Sequence, residues 1–193
     1  MIYVIQTYEK LCNEIDRIFY GNAVGKFEIY AVDGMKLNMR KKLANNGFAL
    51  NKNGNTVTGL NLCIYNVTRN CPEIIKMVKH KNERQAFLDY IRYADLCCDN
   101  IYVFDRGFFG QNFIKNLDEK GIKYVCRIKK NCKYIKENEN DTMVTIDNVN
   151  VRIVTYTVNN AKYYIATNLD DQFTCENISE LYVFQTMGCR RMF

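Results

Sequence analysis

The periodicity of the apolar residues changes once along this chain, and that change limits the folds that the chain can adopt. Residues 26–78 hold three segments with the alternation and β-branched content of strands, "KFEIYAVDGMKL", "TVTGLNLCIYNV" and "EIIKMV". From residue 82 onward, a helical stripe in "NERQAFLDYIRYADL" precedes the apolar strand "NIYVFD", a second helix and the strand "IKYVCRIK". The sequence therefore predicts the order β-β-β-α-β-α-β.

That order favours an α/β fold, a mixed sheet with helices packed on it. Three strands joined by hairpins form its antiparallel part, and a right-handed helical crossover can return the fourth strand to the side of the first. In the second helix we expect Phe113, Ile114 and Leu117 to face the core and Gly121 to end the helix. We expect the first strand to end, or to be interrupted, at Asp33.

The rest of the chain has weaker signals. A short helix is predicted over residues 7–20, and further strands near 142–146, 151–158 and 162–167. The domain organisation predicted is a helical remnant at 1–25, a core at 26–131, a β-rich insertion at 132–170 and a truncated C-terminal helix at 171–193.

The composition excludes several classes of protein. Hydrophobic residues make up 48% of the chain and charged residues 25%, which is typical of a folded domain. No apolar run reaches the roughly 18 residues of a spanning helix, and the start of the chain lacks the pattern of a signal peptide. We therefore expect no membrane partner and a cytoplasmic protein.

The nine cysteines favour reduced thiols over a metal site. Their number is odd, no C-x-x-C occurs, and His80 is the single histidine. A structural zinc site needs close pairs of such ligands. The cysteines are therefore expected to act as small apolar residues.

Positive charge is concentrated between residues 120 and 136. The net charge is +6, and "KGIKYVCRIKKNCKYIK" carries seven cations and no acid, with Tyr124 and Tyr134 among them. A basic stripe with aromatics suits a nucleic-acid backbone. A solvated strand and loop would carry the same charges, so both interpretations stay open on charge alone.

Two aspartates are candidate metal ligands. Asp33 lies in the first strand, and Asp105 ends the fourth. If those strands are parallel neighbours, both carboxylates emerge at one edge, where they repel each other unless a cation lies between them. Oxygen ligands suit Mg²⁺ or Mn²⁺, which can assist phosphodiester transfer. Each aspartate alone is equally typical of a turn, since Asp-Gly and Asp-Arg-Gly occur where strands end.

Several motifs together resemble the catalytic core of bacterial insertion-sequence transposases. "YAVDGMKL" precedes "IYVFDRGFFGQNFIKNLDEKGIKYVCRIKKN", and Asp105 follows Asp33 by 72 residues. These are DDE enzymes with an RNase H-like fold, in the family marked by a Tyr-Arg-Glu-Lys signature. The resemblance covers residues 26–131. It implies that Asp33 and Asp105 are catalytic metal ligands for Mg²⁺ or Mn²⁺.

The resemblance also implies DNA as a partner. It makes Arg106, Arg127 and Lys129 candidates for contact with the DNA backbone, and the basic stripe adds Lys130 and Lys133. The DNA would be the transposon ends or the target, which implies a nucleoid-associated protein, or a nuclear or viral-factory protein in a eukaryotic host. An oligomer of this chain, or a mixed one with an intact transposase, is a further expected partner.

The last motif of that family departs from its pattern here. The family has Tyr, two residues, Arg, three residues, Glu, six residues and Lys. Tyr182 fits, but Gln185 takes the Arg position, Cys189 takes the Glu position, and the chain stops at Phe193. Glu180 cannot substitute, because nine residues are about 2.5 helical turns. We therefore expect a transposase truncated before its third carboxylate.

Three functions follow as hypotheses. The first is a truncated, inactive DDE transposase whose ancestral activity is metal-dependent DNA cleavage and strand transfer. The second is a non-catalytic DNA-binding module that antagonises an intact transposase. The third is another two-metal nuclease or phosphotransferase on the same fold. Whether the chain is an enzyme stays open at this point.

Overall fold

The computed structural model describes residues 27–69, 71–79, 82–94, 96, 99–136 and 139–189, and for residues 184–189 the backbone alone. The helix predicted over residues 7–20 lies outside these ranges. Within them, no helix combines the length and the apolar character that crossing a membrane requires.

The described residues form nine strands and three α-helices. The strands are β1 (Glu28–Arg40), β2 (Ala49–Leu50), β3 (Thr56–Asn66), β4 (Cys71–Val78), β5 (Asn100–Phe104), β6 (Lys123–Ile128), β7 (Asp141–Ile146), β8 (Val149–Val158) and β9 (Ala161–Thr167). The helices are α1 (Glu83–Tyr90), α2 (Gln111–Glu119) and α3 (Cys175–Cys189). Short 3₁₀ turns cover Lys41–Asn46 and Arg106–Phe108.

All nine strands belong to one sheet. Its order is β2-β3-β1-β5-β6-β9-β8-β7, with β4 paired to β3. The pairs β1–β5 and β5–β6 are parallel, and the others are antiparallel. The prediction of a mixed α/β sheet is therefore confirmed. Strands β7, β8 and β9, which fall in the range 132–170, extend this same sheet beyond β6.

Strand β1 does not end at Asp33. It continues to Arg40, because β3 pairs with it from Tyr30↔Asn66 to Arg40↔Thr56. On its other side, β5 pairs with β1 only as far as Val32↔Phe104. The expectation that Asp33 ends or interrupts the strand was therefore wrong: Asp33 marks the point where the parallel neighbour stops.

The two faces of the sheet bury separate cores. Helices α1 and α2 cover one face, where Phe87, Phe104 and Phe113 pack edge to face. Helix α3 covers the other face, with Ile178 and Leu181 buried against the sheet. Side chains alternate along β5, and Phe104 faces α1. The residue after it, Asp105, therefore faces the α3 side.

Local signals set the helix ends as the sequence predicts. Phe113, Ile114 and Leu117 of α2 are buried, and Gly121 adopts a φ of +64°, a left-handed conformation that suits glycine. These predictions are confirmed.

Candidate functional site

The two aspartates lie side by side at one edge of the sheet. Val32 and Phe104 are the last register partners of the parallel pair β1–β5, and Asp33 and Asp105 follow them directly. Neighbouring strands are about 4.8 Å apart. Asp33 is half-buried and Asp105 is exposed. Strands distant in sequence thus bring both candidate metal ligands together.

The side chain of Asp105 does not cap the turn that follows it. The 3₁₀ turn Arg106–Phe108 has no side-chain cap, and its backbone bond runs from the Phe108 amide to the Asp105 carbonyl, 3.0 Å. The carboxylate instead accepts a hydrogen bond from the Tyr182 hydroxyl, Oη to Oδ1, at 3.0 Å. The Asp33 carboxylate accepts one from the Gly34 amide at 2.8 Å.

Arg127 and Tyr182 extend this site on the α3 side of the sheet. Arg127 Nη1 donates to the Tyr182 hydroxyl at 3.4 Å, and its guanidinium lies 4.9 Å from the ring centre of Tyr163. Burial is the main cause that raises the pKa of Tyr182 well above its ordinary value, so the phenol stays protonated and able to donate.

Glu83, which the sequence analysis missed, is a third acid at this edge. A Cβ added to Gly34 would lie 2.4 Å from Glu83 Cγ, and one added to Gly107 would lie 3.5 Å from Glu83 Oε2. Burial raises the pKa of Glu83; the charge of Lys36 opposes this rise, and the charges of Asp33 and Asp105 add to it. The available signal was an acid in the first turn of the helix that leads towards β5.

The donor set at this edge fits a hard divalent ion. Mg²⁺ typically takes one or two carboxylates, with waters and substrate phosphates completing its coordination. Asp33, within β1, and Asp105, directly after β5, supply that number of ligands. Among the residues that the structure describes, no three His, Cys, Asp or Glu side chains converge closely enough to enclose a metal ion by themselves. Cys189 is the last residue of α3, and its side chain lies outside the described set.

A basic cavity adjoins Asp105. Its volume is about 410 Å³, and its lining has five cations and no acid: Arg106, Arg127, Ile128, Lys129, Lys130, Ala161, Lys162, Tyr163 and Tyr164. Four of the five predicted DNA-contacting residues are brought together here. The fifth, Lys133, is not among the lining residues; its ammonium lies 5.0 Å from the ring centre of Tyr134.

The part of the cavity that β9 contributes was not predicted from the sequence. Antiparallel pairing places Ile165 beside Arg127 and Tyr164 beside Ile128, so Lys162 and Tyr163 come level with the end of β6. The "AKYY" stretch alone does not indicate that β9 pairs with β6. Cations beside aromatic rings form a surface that suits phosphates and bases.

Comparison with known proteins finds a matching family model and solved structures of similar fold. The model of the transposase DDE domain family matches residues 25–191. The cryo-EM structure of the piggyBac transposase synaptic complex with hairpin DNA is similar in fold, with a TM-score of 0.54 and 11% identity over 84% of this chain and 39% of that chain. This chain thus spans well under half of the piggyBac chain. Among curated proteins, none matches the sequence.

Proposed function

The chain belongs to the transposase DDE domain family, and from this membership in a family of DNA transposition we propose that it binds DNA and a divalent metal ion at the β1–β5 edge. One observation carries the proposal: the register of β1 and β5 brings Asp33 and Asp105 to one level, beside a cavity lined by five cations. Carboxylates for a metal and cations for phosphates then lie within one site.

We assign the core to the RNase H-like fold of the DDE enzymes. The antiparallel strands β4, β3 and β1, followed by the parallel β5 and β6, support this assignment. So does the length of β1, which carries Asp33 in its interior while Asp105 follows β5.

In this proposal Asp33 and Asp105 hold Mg²⁺ or Mn²⁺. The ion, when bound, supplies positive charge to a phosphodiester. The residues of the chain orient the reactants: Arg127 and Lys129 contact the DNA backbone, and Tyr163 and Tyr164 offer rings for bases. Arg106, Lys130 and Lys133 add phosphate contacts.

The site is proposed not to cleave DNA. The resemblance to the transposases aligns Cys189 with their third carboxylate, and a thiol is a poor ligand for a hard ion. Two carboxylates hold a cation weakly, and they do not fix both the attacking and the leaving oxygen. The chain is then a non-cleaving member of a DNA-cleaving family.

A second candidate function follows from the basic cavity. Its cations need no third carboxylate to hold a phosphate backbone. A chain that binds DNA without cutting it would antagonise an intact transposase by occupying the same DNA, or by forming mixed oligomers with it.

Incubation of labelled DNA with the protein and Mn²⁺ tests both the proposed DNA binding and the proposed lack of cleavage. We expect salt-sensitive retention of the DNA without nicking, and the gain of nicking in Cys189→Glu would support the role of the missing carboxylate. Nicking by the unmodified chain that disappears in Asp33→Ala, but not in the exposed control Asp118→Ala, would contradict the inactivity and favour a nuclease. Absence of DNA retention would overturn the DNA-binding proposal.

A further inference from the structure

We propose that Tyr182 is a positioning residue, which fixes the orientation of the Asp105 carboxylate that would hold the divalent ion. The inference rests on the proposed function, because it concerns the same metal ligand. It adds a residue from α3, which follows Asp105 by 77 positions and belongs to the opposite part of the chain.

Asp105 needs such a partner because nothing else in its own segment orients it. It is exposed, it follows the last residue of β5, and the 3₁₀ turn after it takes no hydrogen bond from its side chain. A carboxylate in that position can adopt several rotamers. The Tyr182 hydroxyl, at 3.0 Å from Oδ1, selects one orientation.

Tyr182 is itself held firmly. It is 3% exposed and belongs to the core between α3 and the sheet, together with Ile178 and Leu181. A hydroxyl on a buried ring is a fixed donor, unlike a water molecule at the same place. A fixed donor costs no reorganisation when the metal binds.

The direction of the hydrogen bond follows from Arg127. A guanidinium has donors and no acceptor. Because Arg127 Nη1 lies 3.4 Å from the Tyr182 oxygen, that oxygen accepts from Arg127. The single phenolic proton is then directed at the Asp105 carboxylate, which makes a charge-assisted bond.

Titration of the chain with Mn²⁺, followed by the electron paramagnetic resonance signal of the free ion, measures the effect. We expect Tyr182→Phe to weaken Mn²⁺ binding about tenfold, the lower end of what loss of a ligand's hydrogen-bond partner costs. Tyr156→Phe is the matched control, since its ring packs 6.4 Å from that of Tyr182 on the same face. It should leave Mn²⁺ affinity unchanged.

The outcomes separate the inference from the proposed function. Mn²⁺ binding that is absent, or that persists in Asp33→Asn, overturns the metal site and the inference with it. Binding that is lost in Asp33→Asn but equal in the unmodified chain and Tyr182→Phe overturns the positioning role alone.

A second measurement needs no metal. Tyr182→Phe is made in the unmodified chain and in Asp105→Ala, which removes the acceptor, and the melting temperatures of all four proteins are compared without added ions. A hydrogen bond between the two residues predicts non-additive changes. Additive changes would show that the two side chains do not interact, and would overturn the proposal.

Discussion

At the scale of single residues, the close approach of Glu83 explains why a glycine follows Asp33. The Glu83 stem lies over the Gly34 backbone, at a distance that leaves no room for a Cβ. Glycine permits this approach because it has no side chain. An Asp-Gly pair is typical of a turn in sequence, but here it lies within a regular strand. The glycine leaves space for Glu83, a third acid, at the edge where Asp33 and Asp105 lie.

Gly34→Ala is therefore expected to destabilise the protein. The added Cβ would lie 2.4 Å from Glu83 Cγ and 3.1 Å from Leu60 Cδ1, so the Glu83 side chain must move. Overpacking of this kind costs about 1–3 kcal/mol in the free energy of unfolding, measurable by urea denaturation. In Gly107→Ala the nearest contact is an ordinary 3.5 Å, and stability should barely change. Equal effects of both changes would contradict this account.

At the scale of elements, one arginine joins the end of the sheet to the segment before α3. Arg152 Nε and Nη2 donate to the two carboxylate oxygens of Asp141, at 2.8 and 2.6 Å. Nη1 donates to the carbonyls of Asp170 and Phe173, at 2.8 and 2.9 Å. The side chain of Arg152 is 8% exposed. The strands β7 and β8 thus hold the turn from which α3 begins, and with it Tyr182.

Asp141→Asn should lower the free energy of unfolding by about 2 kcal/mol, because it removes the charge opposite a buried guanidinium. The hydrogen bond from Arg152 holds the pKa of Asp141 below its ordinary value of 3.8, while burial opposes this. A lowered pKa stabilises the folded state above that ordinary value, and the gain is lost as pH falls through the folded pKa. Urea denaturation should show the difference at neutral pH and its disappearance in acid.

The exposed pair Lys115–Asp147, 3.9 Å apart, provides the control for that prediction. Both side chains are more than two-fifths exposed, and such pairs contribute little. Asp147→Asn should leave the free energy of unfolding almost unchanged. A loss as large as that of Asp141→Asn would show that general surface charge, and not the Arg152 contact, is responsible.

At the scale of the whole molecule, the sheet places acids and cations in adjacent regions of one edge. The acids come from β1, α1 and the residue after β5, and the cations from the 3₁₀ turn, β6, the residues after β6 and β9. A strand order in which β9 pairs with β6 is what brings Lys162 to the cations of the basic stripe. The resulting charge separation fits a bound cation beside a bound polyanion.

The affinity for DNA should therefore fall steeply as the salt concentration rises. The fall should be less steep when a lysine of the cavity is removed. Lys129→Ala and Lys162→Ala are each expected to reduce the slope of log affinity against log salt by about 1, as one lost phosphate contact does. Fluorescence anisotropy at several salt concentrations measures this slope. Lys52→Ala, exposed in the β2–β3 loop on the other side of β1, is the control. A slope that Lys52→Ala changes as much would contradict a localised DNA site.

Much of the fold was predictable because its signals are local. The change of period from 2 to 3.6 gave the element order, and the stripe Phe113, Ile114 and Leu117 gave the buried face of α2. The extent of β1 was not predictable, since pairing with β3 carries it past Asp33 to Arg40. The length of a strand depends on how far its neighbouring strands continue to pair with it, and the local sequence pattern does not indicate this.

The sequence by itself determined the kind of site: an Asp-Gly in one strand, an aspartate after another, and a basic stretch between Lys120 and Lys136. The tertiary structure decided which further residues belong to this site. Tyr182, Glu83 and Lys162 join it through contacts between segments far apart in the chain. The physical reason is that register, crossover and helix packing bring such segments together, and each of these depends on the whole sheet.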